Sequence, residues 1–109
     1  PAYNLKRAEY EKFSVLTDFV LDAFDINFGN RILNQIVRFV PVYVACGGTS
    51  AKALDLMFSR KVLRKLEGKF DDGIKANLVK LEKLVLDEYG KTEFSSTLET
   101  IARLKRKLI

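Results

Sequence analysis

Three consecutive residues, Gly29-Asn30-Arg31, combine groups that can bind a phosphate at the start of a helix. Glycine lets the backbone approach a ligand closely, asparagine caps helices, and the helix itself aims an arginine in its first turn. The amide groups and positive dipole of a helix start also favour an anion. The same spacing allows Arg31 to form a salt bridge with Asp22 or Asp25 across the helix junction, and spacing alone favours this structural role.

Two basic segments provide a second candidate for anion binding. They are SRKVLRKLEGK (59–69) and RLKRK (103–107), within a chain of net charge +5. The basic side chains of interest are Arg60, Lys61, Arg64, Lys65, Arg103, Lys105, Arg106 and Lys107. Clusters of this kind neutralise nucleic-acid phosphates, but without interleaved aromatic residues they are more often solvated helix faces.

The composition excludes several kinds of enzyme chemistry. The sequence has no histidine and one cysteine, so it provides no histidine-based triad, no zinc site and no internal disulfide. It contains neither a G-x-x-x-x-G-K-[ST] phosphate loop nor a G-x-S-x-G elbow. Acid pairs such as Asp71-Asp72 are expected to be solvated helix caps, and Cys46 an inert buried thiol. We therefore expect no catalytic residue and no metal ligand in this chain.

Hydrophobic periodicity predicts one all-α domain of five helices. The first is expected to run from Lys6 or Ala8 to Phe24, with Leu21 on its buried face. The second follows a turn containing Gly29 and is apolar on almost every side, which makes it the predicted centre of the core. A short strand in VPVYVAC is the alternative, but no second strand is available to pair with it. We therefore predict a helix that is kinked at Pro41.

The remaining helix boundaries follow from capping residues and glycines. Gly47-Gly48 should end the second helix, and Thr49 or Ser50 should cap a third that continues to Glu67-Gly68 with Asp55 outside its apolar stripe. Asp71 and Asp72 are predicted to cap a fourth helix that stops at Gly90. Ser96-Thr97-Leu98-Glu99 has the form of a capping box at the start of the fifth.

The chain also resembles a known family of proteins. A glycine followed closely by an arginine at the head of a helix resembles the sensor-2 motif of AAA+ ATPases. The longer segments FDINFGNRILNQIVRFVPVYVACGG and ALDLMFSRKVLRKLEG are similar to the C-terminal region of AAA+ proteins related to the GTP-hydrolysing subunit of 5-methylcytosine restriction systems. This resemblance spans roughly Thr17 to Leu66. It implies an AAA+ lid-like bundle, with lid helices in residues 1–47 and a C-terminal helical extension in residues 48–109.

The resemblance implies a function for the turn at the start of the second helix. Arg31 would sense the γ-phosphate, and Gly29 and Asn30 would shape the turn that presents it. ATP or GTP with Mg²⁺ would be held by an α/β core expected upstream of Pro1, because this chain lacks a phosphate loop and is not expected to be active alone. The implied partners are that core, neighbouring subunits, a nuclease subunit and DNA.

Two other functions are compatible with the sequence. A small nucleic-acid-binding domain would use the basic segments, and a protein-interaction bundle would expose apolar area on helices four and five. The longest apolar run, Ile36 to Gly48, is interrupted by Arg38 and Pro41 and is too short to span a membrane. We therefore expect a cytoplasmic protein without a membrane partner.

Overall fold

The computed structural model describes residues 4–27, 29–69 and 71–108. These residues form five α-helices and no strand, which confirms the predicted all-α, five-helix domain. The helices are α1 (Arg7–Phe24), α2 (Gly29–Ala45), α3 (Ser50–Met57), α4 (Ile74–Glu88) and α5 (Ser95–Arg106). A π-helical segment, Phe58–Val62, and a 3₁₀ segment, Leu63–Leu66, directly follow α3.

The core lies between α1, α3, α4, α5 and the two short segments. α1 packs against α4, and α5 packs against α3, α4 and both short segments. The largest fully buried side chains include Leu16, Leu54, Phe58, Leu81, Phe94 and Ile101. Burying a side chain of this size contributes about 1.5–3 kcal/mol, so each of these residues stabilises the fold substantially. Leu21, which was predicted to be buried, is 39% exposed at the edge of α1.

α2 lies at the edge of the core, so the prediction that it forms the centre is wrong. It packs chiefly against α3, and Ile36 and Val40 are its fully buried apolar residues. Val37 and Val42 are 42% and 61% exposed. One neighbouring helix covers one stripe of a helical surface, so the remaining apolar residues of α2 stay partly or wholly in solvent. The segment around Pro41 is helical, as predicted in preference to a strand.

The two glycines after α2 end it in a Schellman motif, as the glycine signal predicted. Gly47 has a φ of 98°, and its amide donates to the carbonyl oxygen of Val44 at 3.0 Å. The amide of Gly48 donates to the carbonyl oxygen of Tyr43 at 3.1 Å. A Cβ atom on Gly48 would collide with the Tyr43 ring. Cys46 is exposed at this helix end, so the prediction of a buried thiol is wrong.

α3 begins as predicted but does not continue as a regular α-helix to Glu67. The hydroxyl of Thr49 accepts a hydrogen bond from the amide of Lys52 at 3.1 Å. After Met57 the chain widens into the π-helical segment and then tightens into the 3₁₀ segment. The adjacent residues Val62 and Leu63, where the two segments meet, are both fully buried.

The start of α5 is capped by a side chain from α3. The carboxylate of Asp55 accepts hydrogen bonds from the amides of Ser96 and Thr97 at 3.1 and 2.7 Å, and the Nζ of Lys52 lies 2.7 Å from it. Asp55 is fully buried, so its predicted exposed position is wrong. The predicted capping box is also wrong, because α5 begins at Ser95 and its first amides are already paired with Asp55.

The ends of α1 and α4 depend on local backbone geometry. α1 begins at Arg7, between the two predicted starts at Lys6 and Ala8, and the amide of Lys6 donates to the carboxylate of Glu9 at 2.9 Å. Gly73, with a φ of 81°, occupies the N-cap position of α4. The capping prediction for Asp71 and Asp72 is therefore wrong, because a glycine makes the left-handed turn that precedes the helix. α4 ends at Glu88, just before the predicted stop at Gly90.

Candidate functional site

The first candidate site is the start of α2. Gly29 has a φ of 60°, in the left-handed region that favours glycine, and its amide donates to the side-chain oxygen of Asn27 at 3.1 Å. No atom outside the local chain lies within 4 Å of the position a Cβ would take on Gly29, so the backbone here faces open space. Asn30 and Arg31 are exposed in the first turn of α2. Glycine thus supplies the turn and α2 presents the arginine, as the sequence predicted.

Arg31 has neither a salt bridge nor a side-chain hydrogen bond to any residue in 4–27, 29–69 or 71–108. The structural alternative, in which it pairs with Asp22 or Asp25, is therefore wrong. Asp25 instead adopts a left-handed conformation, with φ 51° and ψ 48°, and ends α1. The chain thus turns sharply between α1 and α2, and the guanidinium of Arg31 is left available to a ligand.

Two further polar residues share the outer face of α2 with Arg31. Asn34 and Arg38 follow it by three and seven residues, which places all three on one side of a helix, and all three are exposed. Arg38 is likewise without a salt bridge to a described residue. The opposite face carries Ile36 and Val40, whose burial against the core fixes the rotation of α2 and so the direction of its arginines.

The second candidate site is a depression between the segment after α3 and the side of α5. Its lining includes the cationic side chains of Arg60, Lys61, Arg64 and Arg103 together with the carboxylate of Glu67. We call this surface the basic groove. Two basic segments that are separated by about forty residues in the sequence therefore meet in the fold, and α2 contributes no residue to their meeting point.

The cations of the basic groove differ in whether they are neutralised. Arg60, Lys61 and Arg64, like the neighbouring Lys65, form no salt bridge with a described residue. Arg103 is paired, because its Nη1 lies 2.7 Å from Oε1 of Glu67. The segment after α3 therefore keeps its positive charge available, whereas α5 has part of its charge balanced within the chain.

Salt bridges also engage the other predicted cations of the second basic segment. Nζ of Lys107 lies 3.0 Å from Oε2 of Glu67, and Nζ of Lys105 lies 3.0 Å from Oε1 of Glu82. Arg106 is exposed and forms no salt bridge with a residue that the structure describes. Lys105, Arg106 and Lys107 do not line the basic groove, so the structure divides the eight predicted contact residues rather than joining them in one surface.

Glu67 is a site residue that the sequence reading missed. Hydrogen bonds from Lys107 and then Arg103 lower the pKa of its carboxyl group below the ordinary value of 4.5, so it remains an anion at neutral pH. The side chain of Glu67 is 33% exposed, so solvent weakens both pairings. Its position among basic residues in the sequence was the available signal, but its two partners are about forty residues away along the chain.

A third polar feature lies beside the start of α5. The ring of Tyr89 stacks on that of Phe94 with centroids 4.0 Å apart, and the Nζ of Lys12 lies 4.5 Å above the Tyr89 ring. Its hydroxyl oxygen is buried without a hydrogen-bond partner among the described residues. Burial, and secondarily the charge of Glu88, raises the pKa of Tyr89, so the phenol stays protonated. We assign this cluster to packing.

The residues that the structure describes form neither a metal-binding cluster nor a membrane-spanning helix. No group of three or more aspartate, glutamate or cysteine side chains in the described part of the chain is arranged to hold a metal ion. Among the helices of residues 4–27, 29–69 and 71–108, none has both the length and the apolar character needed to cross a bilayer.

Comparisons with known proteins identify a family but no function. No curated protein and no solved structure matches the chain. The model of the domain of unknown function DUF8727 matches residues 3–109, which include both the start of α2 and the basic groove, and the chain belongs to this family.

Proposed function

We propose that this domain is the C-terminal lid of an AAA+ NTPase and relays nucleotide state within an oligomeric machine that acts in DNA restriction. The observation that carries the proposal is the exposed guanidinium of Arg31 in the first turn of α2, which has no salt bridge to a residue that the structure describes. A structural arginine would have a carboxylate partner nearby, and both nearby candidates, Asp22 and Asp25, lack this contact. The similarity of the α2 and α3 segments to AAA+ lids supplies the identity of the proposed machine.

The packing of α2 supports a role in relaying a signal. Ile36 and Val40 anchor α2 to the core, so a force on Arg31 is transmitted to the packed helices rather than absorbed by a loop. An arginine bonded to a terminal phosphate loses that partner on hydrolysis. Such a contact differs between the two nucleotide states, so it can bias the position of the lid.

The proposed machine requires parts that this chain does not contain. The sequence has no phosphate loop, so ATP or GTP with Mg²⁺ would be held by an α/β core of the same protein, and the chain alone would not hydrolyse nucleotide. Arg31 would contribute a guanidinium to the γ-phosphate, with Gly29 and Asn30 holding the turn. Neighbouring subunits, a nuclease subunit and DNA are the further proposed partners, and the proposed compartment is the cytoplasm.

The test compares two arginines on the same helix face. In the protein that joins this domain to a nucleotide-binding core, Arg31→Ala should reduce the rate of nucleotide hydrolysis by about tenfold or more. An arginine that contacts a transferring phosphate can raise this rate by about 10³–10⁵. Arg38→Ala is the matched control, since Arg38 is also exposed and without a salt bridge to a described residue but lies about two helical turns further along. Steady-state hydrolysis and nucleotide affinity would be measured for both.

The control separates sensing from general surface charge. We expect Arg38→Ala to retain hydrolysis within about twofold, as is usual for a surface substitution. Equal hydrolysis by the Arg31→Ala variant and the unmodified protein would refute the sensor assignment. A gene that encodes no phosphate loop with this domain would refute the lid function as a whole.

A small nucleic-acid-binding domain is the second candidate function. It is favoured by the uncompensated positive charge of Arg60, Lys61, Arg64 and Lys65 on the segment after α3. Affinity for DNA that falls steeply with salt would support it, and no binding at low salt would reject it. A protein-interaction bundle has less support, because the exposed large apolar residues of α4 are limited to Val79 and Leu86 within the described chain.

A further inference from the structure

We propose that the basic groove binds the phosphate backbone of double-stranded nucleic acid without reading its bases, and that Glu67 weakens this binding by occupying Arg103. The inference rests on the second candidate function, nucleic-acid binding, and adds to it the site, the form of the nucleic acid and an internal competitor. It is independent of the lid proposal, because no residue of α2 lines the groove.

The buried apolar residues of the segment after α3 explain how its cations are presented. Phe58, Val62, Leu63 and Leu66 are buried and fix the segment to the core. The basic residues between them, Arg60, Lys61, Arg64 and Lys65, are therefore all exposed on one short stretch of chain. The four-residue spacing of Arg60 from Arg64 and of Lys61 from Lys65 places these cations on the side of the helical segment away from the buried residues.

Hydroxyl groups hold the two walls of the groove together. The Oγ of Ser59 lies 2.6 Å from the Oγ1 of Thr100 and donates to the carbonyl of Ser96 at 3.5 Å. These contacts join the π-helical segment to α5, so the backbone that carries Arg60 and Lys61 is held beside the helix that carries Arg103. A pre-positioned set of charges binds a regular array of phosphates at lower entropic cost than flexible side chains on separate loops.

The groove lining favours duplex nucleic acid over single strands and peptides. Its described lining includes no aromatic side chain on which an unpaired base could stack. Met57 is its one apolar lining residue and is 8% exposed, so a peptide would find little apolar surface to bury. The rest of the lining is polar: two hydroxyls, the carboxylate of Glu67 and four cations, whose guanidinium and ammonium groups bind phosphates whatever the base sequence.

Glu67 competes with a phosphate for the same guanidinium. Its Oε1 lies 2.7 Å from Arg103, so a phosphate that binds Arg103 must displace a carboxylate already in place. Lys107, at 3.0 Å from Oε2, holds the carboxylate there. Removing the charge of Glu67 would free Arg103 for one more phosphate contact.

The test is a titration of a fluorescently labelled, random-sequence DNA duplex of about 20 base pairs with the chain, at several salt concentrations. Arg60, Lys61 and Arg64 line the groove without a salt bridge to a described residue, so we expect them to neutralise three phosphates. The logarithm of the association constant should then fall with the logarithm of the salt concentration with a slope of about −3, at about −0.9 per neutralised phosphate. Arg60→Ala/Arg64→Ala should bring the slope to about −1 and weaken low-salt affinity at least about tenfold. Glu67→Gln should tighten binding about threefold or more and steepen the slope by about 0.9.

A matched double substitution controls for the loss of net charge. Lys80→Ala/Lys83→Ala removes the same two charges from exposed positions of α4 outside the groove, and should change affinity about threefold or less. Circular dichroism and thermal unfolding of each variant establish that it is folded.

Each contrary outcome identifies which part of the proposal fails. If the unmodified chain does not bind duplex at low salt, nucleic-acid binding fails together with the groove. If it binds but the groove and α4 double variants are equally weakened, the site is wrong while nucleic-acid binding stands. Tighter binding of the matching single strand refutes the duplex assignment, and unchanged affinity of Glu67→Gln refutes the competitor role.

Discussion

The first turn of α5 and the first turn of α2 satisfy their polar groups in opposite ways. At α5, the buried carboxylate of Asp55 accepts two backbone amides and the ammonium of Lys52. At α2, Gly29 turns the chain in open space and Arg31 has no partner among the described residues.

This difference separates polar residues that build the fold from those that are free to bind. A buried carboxylate with all its partners in place is costly to disturb, because each partner would be left unsatisfied. An exposed arginine without a partner adds little to stability, so its removal should change ligand binding rather than the free energy of unfolding. Substitutions at the two helix starts can therefore break or sharpen the comparison.

Asp55→Ala should have the largest effect. It leaves two amides at the start of α5 without their acceptor and removes the anionic partner of Lys52, which is expected to lower the free energy of unfolding by about 3–5 kcal/mol. Urea denaturation followed by circular dichroism measures this change. Asp55→Asn is the control, because it retains the size of the side chain and one acceptor and should lose less stability. A loss of stability below about 1 kcal/mol for Asp55→Ala would show that the buried network does not hold α5 in place.

Gly29→Ala should have the next largest effect. A Cβ in the left-handed region costs about 1–2 kcal/mol, and no neighbouring atom adds a collision here. Gly29→Asn is the control, because asparagine tolerates this conformation better than alanine does. Thermal unfolding of the two variants tests the turn; equal stability of both variants and the unmodified chain would mean that the turn does not require a positive φ.

Glu67→Gln should have a small and pH-dependent effect on stability. The pKa of Glu67 is lowered below 4.5 by hydrogen bonds from Lys107 and Arg103, so the folded state binds a proton less readily than the unfolded state. The stabilisation of the folded state by the ionised Glu67 is fully present above the unfolded-state pKa. It is lost as the pH falls through the lower folded-state pKa. We expect a loss of about 0–1 kcal/mol near neutral pH and none near pH 2. An equal loss at both pH values would contradict this ionic origin.

Arg31→Ala should have the smallest effect on stability. Because Arg31 has no described partner, we expect the free energy of unfolding to change by about 0.5 kcal/mol or less. Arg38→Ala should behave in the same way, since it shares the exposed face of α2. A loss well above 1 kcal/mol for Arg31 alone, measured by urea denaturation, would reveal a structural role and weaken the comparison between the two helix starts.

Much of the fold could be predicted because it depends on local signals. The apolar spacing in α1 and α4, the cap at Thr49 and the glycine stop after α2 are all set by residues close to one another in the chain. Such signals act within a turn or two of helix, so the sequence displays them directly.

Two of the errors occurred where a distant residue supplied the deciding contact, whereas the error at the start of α4 was local, because Gly73 is its N-cap. The apolar composition of α2 indicated a central helix, yet burial depends on how many neighbours pack against it, and α2 has chiefly α3. Ser96 and Glu99 resembled a capping box, but in the fold the carboxylate of Asp55 accepts the hydrogen bonds of the amides of Ser96 and Thr97. Neither outcome follows from periodicity, because both depend on helix packing.

The sequence by itself determined the helical class of this protein and the turn that precedes Arg31, since periodicity and glycine conformation act locally. Tertiary structure alone decided that Arg31 lacks a partner, that Arg60 and Arg64 meet Arg103 across one groove, and that Glu67 occupies that arginine. The reason is physical: a salt bridge or a shared groove requires side chains within a few ångströms, and packing rather than sequence distance determines which charges come that close.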